Sequence, residues 1–90
     1  MSATPLPLDE NAQPQELYVR RARRNGRCVA SFTALDYGHV CVVEVAIGDP
    51  QAADEVDARS YRFADGHQAT AFVSEAVEAL MYLGCEIRAE

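Results

Sequence analysis

The most distinctive chemical feature of the sequence is a cluster of arginines near its start. Residues 17–27 contain no acidic residue and carry a local charge of +5, which comes from Arg20, Arg21, Arg23, Arg24 and Arg27. An arginine guanidinium can hold a phosphate or a carboxylate through two parallel hydrogen bonds. The cluster therefore predicts a partner-binding segment, either for an acidic protein or for nucleic acid.

The same arginines have a second interpretation, as a solvated face or as an internal partner for acidic residues in the segment 49–57. The formal charge of the chain is −6, and residues 28–90 alone carry −8. Such an acidic body repels nucleic acid at long range, and no aromatic residue stands between Arg20 and Arg27 to stack on bases. These observations weigh towards the second interpretation but leave the first open. The charge of −8 also fits a third function, in which the acidic body mimics nucleic acid and blocks a basic partner.

The three cysteines are better explained by packing than by chemistry. Cys28, Cys41 and Cys85 are widely separated and lack the paired spacing of a zinc site. Each falls on the apolar side of a predicted strand, where cysteine behaves as a small apolar residue. We therefore expect slow thiol reaction in the native protein, and neither a metal nor a cofactor.

No catalytic set can be recognised in the sequence. His67 stands near Asp65 and could form an acid/base pair with it, but no nucleophile or oxyanion site accompanies the pair. His39 falls in a predicted turn. We expect both histidines to be solvated and the protein not to be an enzyme; the alternative is a small enzyme whose site is assembled only at an oligomer interface.

Length and hydropathy predict one domain, in the cytoplasm. Residues 1–13 contain Pro5 and Pro7 without an apolar period and predict a disordered leader, followed by a single domain over residues 14–90. No stretch has the pattern of a signal peptide or of a membrane span. We therefore expect no membrane partner, and reduced thiols.

Two segments, Cys28 to Leu35 and Val40 to Ile47, predict a β-hairpin with its turn over residues 36–39. Pairing Leu35 with Val40 makes one face entirely apolar, with these members: Cys28, Ala30, Phe32, Ala34, Cys41, Val43, Val45 and Ile47. The other face carries an apolar stripe, namely Val29, Leu35, Val40 and Val42. A stripe of this kind needs a cover, either the N-terminal segment or a second copy of the chain, so we expect a homodimer.

The clearest element is a helix over residues 66–83. Asp65 is a favoured N-cap with Gln68 three residues later, apolar residues recur at helical spacing, and Gly84 stands where a helix commonly ends. The helix is preceded by a charged loop over residues 48–60 and a short strand over residues 61–64. Alternation after Gly84 predicts a final edge strand.

The segment before the hairpin, residues 14–24, fits two structures. As a strand closed by an Asn25-Gly26 turn, it would place Arg21 and Arg23 on the face of Phe32 and would set Arg24 against Arg27. A helix avoids both penalties, so we favour a short N-terminal helix.

The sequence thus predicts an α+β fold with a three- or four-stranded, mainly antiparallel sheet and one long C-terminal helix packed on one face. The predicted function is that of a small non-catalytic binding or regulatory module. It would dock a macromolecular partner through the arginine segment or through a sheet face.

Overall fold

A computed structural model describes residues 13–49 and 56–90 of the chain. The elements follow one another as β1 (Gln15–Arg24), β2 (Arg27–Asp36), β3 (Cys41–Ile47), β4 (Asp57–Phe63), α1 (Gly66–Tyr82) and β5 (Glu86–Ala89). The strands form one antiparallel sheet in the order β4-β3-β2-β1-β5. The predicted α+β class and C-terminal helix are confirmed, but the sheet has five strands rather than three or four. The predicted leader lies outside the described residues, apart from Gln13.

The first four strands form a meander, and the helix then crosses the sheet. α1 starts directly after β4, at one edge of the sheet, and leads to β5 at the opposite edge. It contacts β2, β3, β4 and β5 on its way. Within the described ranges, no helix has the length and apolar character that crossing a membrane would require.

The predicted N-terminal helix is wrong, because residues 15–24 form β1. This strand pairs with β2 in a hairpin whose two turn residues, Asn25 and Gly26, have φ values of 56° and 79°. Positive φ at both positions is the requirement of a type I′ turn, and Asn-Gly is a preferred sequence for it. The Asn25-Gly26 turn therefore closes a β-hairpin in the segment for which a helix was expected.

A β-bulge removes the penalty that had favoured a helix. Arg23 lies opposite Cys28, but Ala22 lies opposite Ala30, so that Val29 is an additional residue on β2. Adding one residue reverses which side chains of the paired strand face the core. Ala22 therefore becomes fully buried at 0% exposure, and alternation along β1 turns Arg21 and Arg23 to the opposite face.

The β2–β3 hairpin has the predicted faces beyond the bulge but a different register. Phe32 pairs with Val45 and Ala34 with Val43, which displaces the register by two residues from the predicted one. An even displacement leaves the residues of β3 and those of β2 from Ala30 onwards on their expected faces. At the bulge the expected faces are wrong, because Val29 packs against the core cluster and Cys28 lies outside it, opposite Arg23.

The turn explains this displacement. Asp36 belongs to β2, and its Oδ1 accepts a hydrogen bond of 2.8 Å from the Gly38 amide, while the Tyr37 amide donates to the Val40 carbonyl at 2.9 Å. The side-chain bond of Asp36 thus moves the connection to residues 37–40.

The stripe predicted on the other face is not an exposed apolar surface. Val42 is buried at 4% exposure, and the other three residues, Val29, Leu35 and Val40, are half-buried. Val29 packs against the core cluster. The predicted need for a cover over this stripe therefore loses its basis.

β4 begins earlier than predicted. Residues 57–60, expected in the loop, pair with β3, so that β4 runs from Asp57 to Phe63. Polar and charged residues are typical of an edge strand, which is why the hydropathy pattern did not reveal them. The rest of the predicted loop falls largely on residues 50–55, which lie outside the described residues.

The predicted ends of α1 are confirmed. Asp65 Oδ1 accepts a hydrogen bond of 3.0 Å from the Gln68 amide, and Gln68 Oε1 accepts one from the Ala64 amide at 3.2 Å. At the other end Gly84 has φ 97°, its amide donates to the Met81 carbonyl, and the Cys85 amide donates to the Leu80 carbonyl. This is a Schellman motif, and it turns the chain into β5.

One apolar layer lies between α1 and the sheet. Phe32, Val43 and Val45 are 3%, 0% and 9% exposed, so the predicted cover of the hairpin face by the helix is confirmed. The helix contributes Ala69 and Val73 to the buried cluster. None of the described polar or charged residues is buried.

We expect the substitution Val43→Ala to lower the free energy of unfolding by about 2 kcal/mol, because it removes two methyl groups from a fully buried site and leaves a cavity. Leu17→Ala is the control, since Leu17 is 39% exposed, and its effect should stay within about 0.5 kcal/mol. Urea unfolding followed by circular dichroism measures both. Equal effects would contradict the position of the core.

The cysteines should differ in reactivity. Cys28 and Cys41 are buried, whereas Cys85 is half-buried, and all three are free thiols. Titration of the native protein with a chromogenic disulfide should modify Cys85 first and the other two only after denaturant is added. Fast reaction of all three without denaturant would overturn the assigned strand faces.

The thiol of Cys41 should make stability depend on pH. Burial raises the pKa of Cys41, and the negative charges of Asp36 and Asp65 raise it further. Above about pH 8.5 the unfolded chain therefore loses this proton before the folded chain does, and the free energy of unfolding falls as pH rises. Cys41→Ala should reduce this slope between pH 8 and 10 in urea titrations, whereas Cys85→Ala should retain it. An unchanged slope in Cys41→Ala would contradict the assignment.

Candidate functional site

The structure separates the five arginines that the sequence places together. Arg20 faces α1, with its guanidinium carbon 4.7 Å from the centroid of the Tyr18 ring and its Nη1 donating to the Val19 carbonyl at 2.9 Å. The Tyr18 hydroxyl lies 3.0 Å from Thr70 Oγ1 on the helix. Arg20 is therefore held between β1 and α1, away from the other four.

Arg21 already has a partner within the chain. Its Nε lies 2.9 Å from Glu90 Oε1, and the backbone amide of Glu90 donates to the Val19 carbonyl. Both side chains are about two-fifths exposed, at 37% and 43%. An ion pair with this exposure contributes at most about 1 kcal/mol, so it orients Arg21 more than it stabilises the fold.

The remaining three arginines, Arg23, Arg24 and Arg27, lie at the end of the β1–β2 hairpin, and we name them the hairpin-end cluster; Arg24 and Arg27 share one face, and alternation turns Arg23 to the other. Arg24 and Arg27 are exposed and directly opposite each other in the ladder. Among the described residues, none forms an ion pair with any of the three. The structure thus leaves the charge of this cluster without a neutralising carboxylate in residues 13–49 and 56–90.

Among the described residues, the lack of a carboxylate partner is clearest for Arg23. Glu86 lies opposite it in the β1–β5 ladder, but its carboxylate Oε1 is 3.3 Å from Nε of Arg88 instead. The Nε atoms of Arg21 and Arg23 are both buried without a hydrogen-bond acceptor, but Arg21 Nε has Glu90 within ion-pair distance and Arg23 Nε has no carboxylate there among the described residues. A buried donor without an acceptor costs free energy, so this site favours an added anion or water.

The C-terminal end of α1 lies beside the cluster. A side-chain carbon placed on Gly84 would come within 4.0 Å of Arg24 Nε, and the last turn of the helix contains no basic residue of its own. The partial negative charge at the end of the helix therefore favours the positive charge of Arg24.

The sheet face turned away from α1 is a shallow polar surface. Its centre is a depression of about 340 Å³, and the side chains on that face that line it are mostly small: Ser31, Thr33, Glu44, Ala46, Ala58 and Ser60. Arg21 and Arg88 continue the row of Ser31 on β1 and β5. Such a surface offers hydroxyl groups and charges to a partner but does not enclose a small molecule.

A second surface was not found by the sequence analysis. An apolar groove of about 610 Å³ lies between α1 and β4, and it is lined by Phe63, Gln68, Ala71, Phe72, Glu75 and Ala76. The rings of Tyr61 and Phe63 approach the ring of Phe72 to centroid distances of 5.0 and 5.3 Å. The apolar arc of α1 is the signal that could have revealed this groove, because it is wider than the core beneath the helix requires.

Other groups capable of chemistry are dispersed. His39 is exposed in the β2–β3 connection and His67 is exposed in the first turn of α1. Across residues 13–49 and 56–90, no three His, Cys, Asp or Glu side chains come together as a metal site would require. The hairpin-end cluster and the α1–β4 groove are therefore the surfaces that a functional interpretation must explain.

Comparison of the chain with protein-family models, with curated proteins and with solved structures finds no match. The functional interpretation of the chain therefore rests on the two surfaces described above.

Proposed function

We propose that the protein is a small, non-catalytic binding or regulatory module that docks an acidic segment of another protein through the hairpin-end cluster. The observation that carries this proposal is the opposition of Arg24 and Arg27 at an exposed hairpin end, beside Arg23, without a carboxylate partner among the described residues.

The position of Arg24 directly opposite Arg27 affects the stability of the hairpin end. Like charges directly opposite each other in a ladder are destabilising, although water and salt weaken the repulsion at an exposed position. A carboxylate bound between the two guanidinium groups replaces this repulsion with two attractions and offers acceptors for their forked donors. Binding of an acidic segment thus stabilises the hairpin end as well as the complex.

The hairpin also orients the cluster before a partner arrives. The Asn25-Gly26 turn fixes the backbone, and β5 supports β1 from its other side. A rigid support reduces the conformational entropy that is lost when a partner binds.

A protein partner is favoured over nucleic acid for two reasons. The net charge of −6 opposes the approach of a polyanion with a dense, extended charge. The nearest aromatic residue along β1, Tyr18, faces α1 beneath Arg20 rather than the hairpin end, so it provides no stacking platform there.

The cytoplasm remains the location we propose, because free thiols persist in a reducing compartment and all three cysteines are free. We also retain the proposal of a homodimer, but through a surface other than the stripe of β2 and β3.

We expect the double substitution Arg24→Glu and Arg27→Glu to weaken binding of a fluorescein-labelled oligoglutamate peptide by roughly tenfold or more, because it reverses both charges at the docking site. Fluorescence anisotropy at low ionic strength measures the dissociation constant, and the wild-type affinity should fall as salt is added. Arg59→Glu combined with Arg62→Glu is the matched control, since it makes the same charge change on β4.

A labelled DNA duplex and a labelled single strand serve as the competing probes. Tighter binding of either one than of oligoglutamate would replace the proposed partner with nucleic acid. Equal losses of peptide affinity in the Arg24/Arg27 double variant and in the Arg59/Arg62 double variant would show that only the net charge matters, and would remove the hairpin-end cluster as the site.

A further inference from the structure

β4 ends the sheet with an unpaired edge. It pairs with β3 over its whole length, from Asp57 to Phe63, and no other described strand lies on its outer side. Its residues are exposed, except for the half-buried Phe63. An edge of this length presents a row of free backbone donors and acceptors that can pair with another strand.

The helix side of this edge is incompletely covered. Because α1 crosses from β4 towards β5, its C-terminal half leaves the corner where β3 ends and β4 begins. Ile47 lies at that corner and remains 48% exposed, and Tyr61 lies further along β4 on the same helix side and remains 37% exposed. The ring of Tyr61 contacts that of Phe72, so this side of the edge continues into the α1–β4 groove.

Charges around the edge are complementary in sign. On the helix side of the sheet β4 carries Arg59, whereas the outward side of α1 carries Glu75 and Glu78. Neither glutamate forms an ion pair within the described residues, and the pair of Arg59 with Asp57 is long, at 3.4 Å, and exposed. One copy of the chain therefore has both the positive and the negative half of a possible contact.

We propose that two copies of the chain associate by antiparallel pairing of β4 with β4 about a two-fold axis at Ser60, which joins the two sheets into one. Ser60 is the middle residue of β4, so this register pairs all its residues. It sets Arg59 of one copy opposite Tyr61 of the other, where a guanidinium and an aromatic ring attract each other. A register centred on Arg59 would instead oppose two arginines.

The two-fold symmetry also brings exposed apolar residues of the two copies closer together. An axis perpendicular to the sheet keeps both helices on the same side. In the register centred on Ser60, Phe63 of one copy lies opposite Asp57 of the other, and Ile47 is the next residue across the sheet on the same face. Phe63 of each copy therefore approaches the exposed side chain of Ile47 in the other copy.

The same placement brings opposite charges together. Arg59 lies on the helix side of β4, opposite Val45, and faces Tyr61 of the other copy in the proposed register. Tyr61 packs on Phe72, and Glu75 follows Phe72 by one helical turn on the wall of the same groove. Arg59 of one copy and Glu75 of the other are therefore neighbours in the dimer.

Sedimentation velocity over a range of protein concentrations tests the interface. The wild-type chain should sediment as a dimer that dissociates on dilution. Ser60→Asp should weaken the dimer by about tenfold, because it sets two like charges about 5 Å apart at the axis. Ser74→Asp is the matched control: Ser74 is exposed on the side of α1 that faces β1, and its substitution should leave the dimer unchanged.

A charge exchange provides a second measurement that does not depend on Ser60→Asp being folded. Arg59→Glu and Glu75→Arg should each weaken the dimer, and the double variant should regain most of the wild-type affinity. A wild-type chain that remains monomeric at all concentrations overturns the proposal. So does a dimer that tolerates Ser60→Asp in a folded chain, or a double variant no stronger than the two single ones.

Failure of this interface is distinguishable from failure of the proposed function. The hairpin-end cluster lies across β3 and β2 from β4, and oligoglutamate binding by a monomeric Ser60→Asp variant would support the docking site without supporting the dimer.

Discussion

Burial of one sheet face beneath α1 is the constraint that organises the molecule. The middle strands place small residues, Ala30 and Ala34, on either side of Phe32, and this alternation lets a helix lie close to the sheet while the larger ring fills the space between them. The described part of this layer contains no buried polar or charged residue. Polar and charged groups able to bind a partner therefore lie on the surfaces.

The β-bulge at Val29 is a consequence of that constraint. Without the additional residue, alternation would turn Arg21 and Arg23 into the apolar layer, where an unpaired guanidinium costs several kcal/mol. With it, Ala22 packs under the helix and the arginines are divided among three environments. Arg23 thus owes its place outside the apolar layer to a packing requirement in the core. The opposition of Arg24 and Arg27 follows from the two-residue turn and does not depend on the bulge.

Those parts of the fold that depend on local signals could be predicted from the sequence. The N-cap at Asp65 and the stop at Gly84 depend on neighbouring residues, and the faces of β3 and of β2 beyond the bulge depend on alternation alone. The prediction for β1 was wrong because a β-bulge adds one residue to one of two paired strands, and no residue type in the sequence indicates where a bulge occurs. The register of the second hairpin depended on one side-chain bond of Asp36. The α1–β4 groove was missed because all apolar residues of the helix were assigned to the core.

The two proposed surfaces lie on different parts of the sheet, so they can operate together. In a dimer joined through β4, antiparallel pairing directs the two β1–β2 hairpins towards opposite ends of the joined sheet. A partner with two acidic segments, separated by a linker long enough to reach both ends, would bind the second one at the effective concentration set by that linker. The affinity of the dimer for such a partner would then exceed the affinity of a single hairpin-end cluster for one acidic segment, without any additional contact. For an acidic chain of net charge −6, such bivalence offsets the long-range repulsion that an acidic partner experiences at each site.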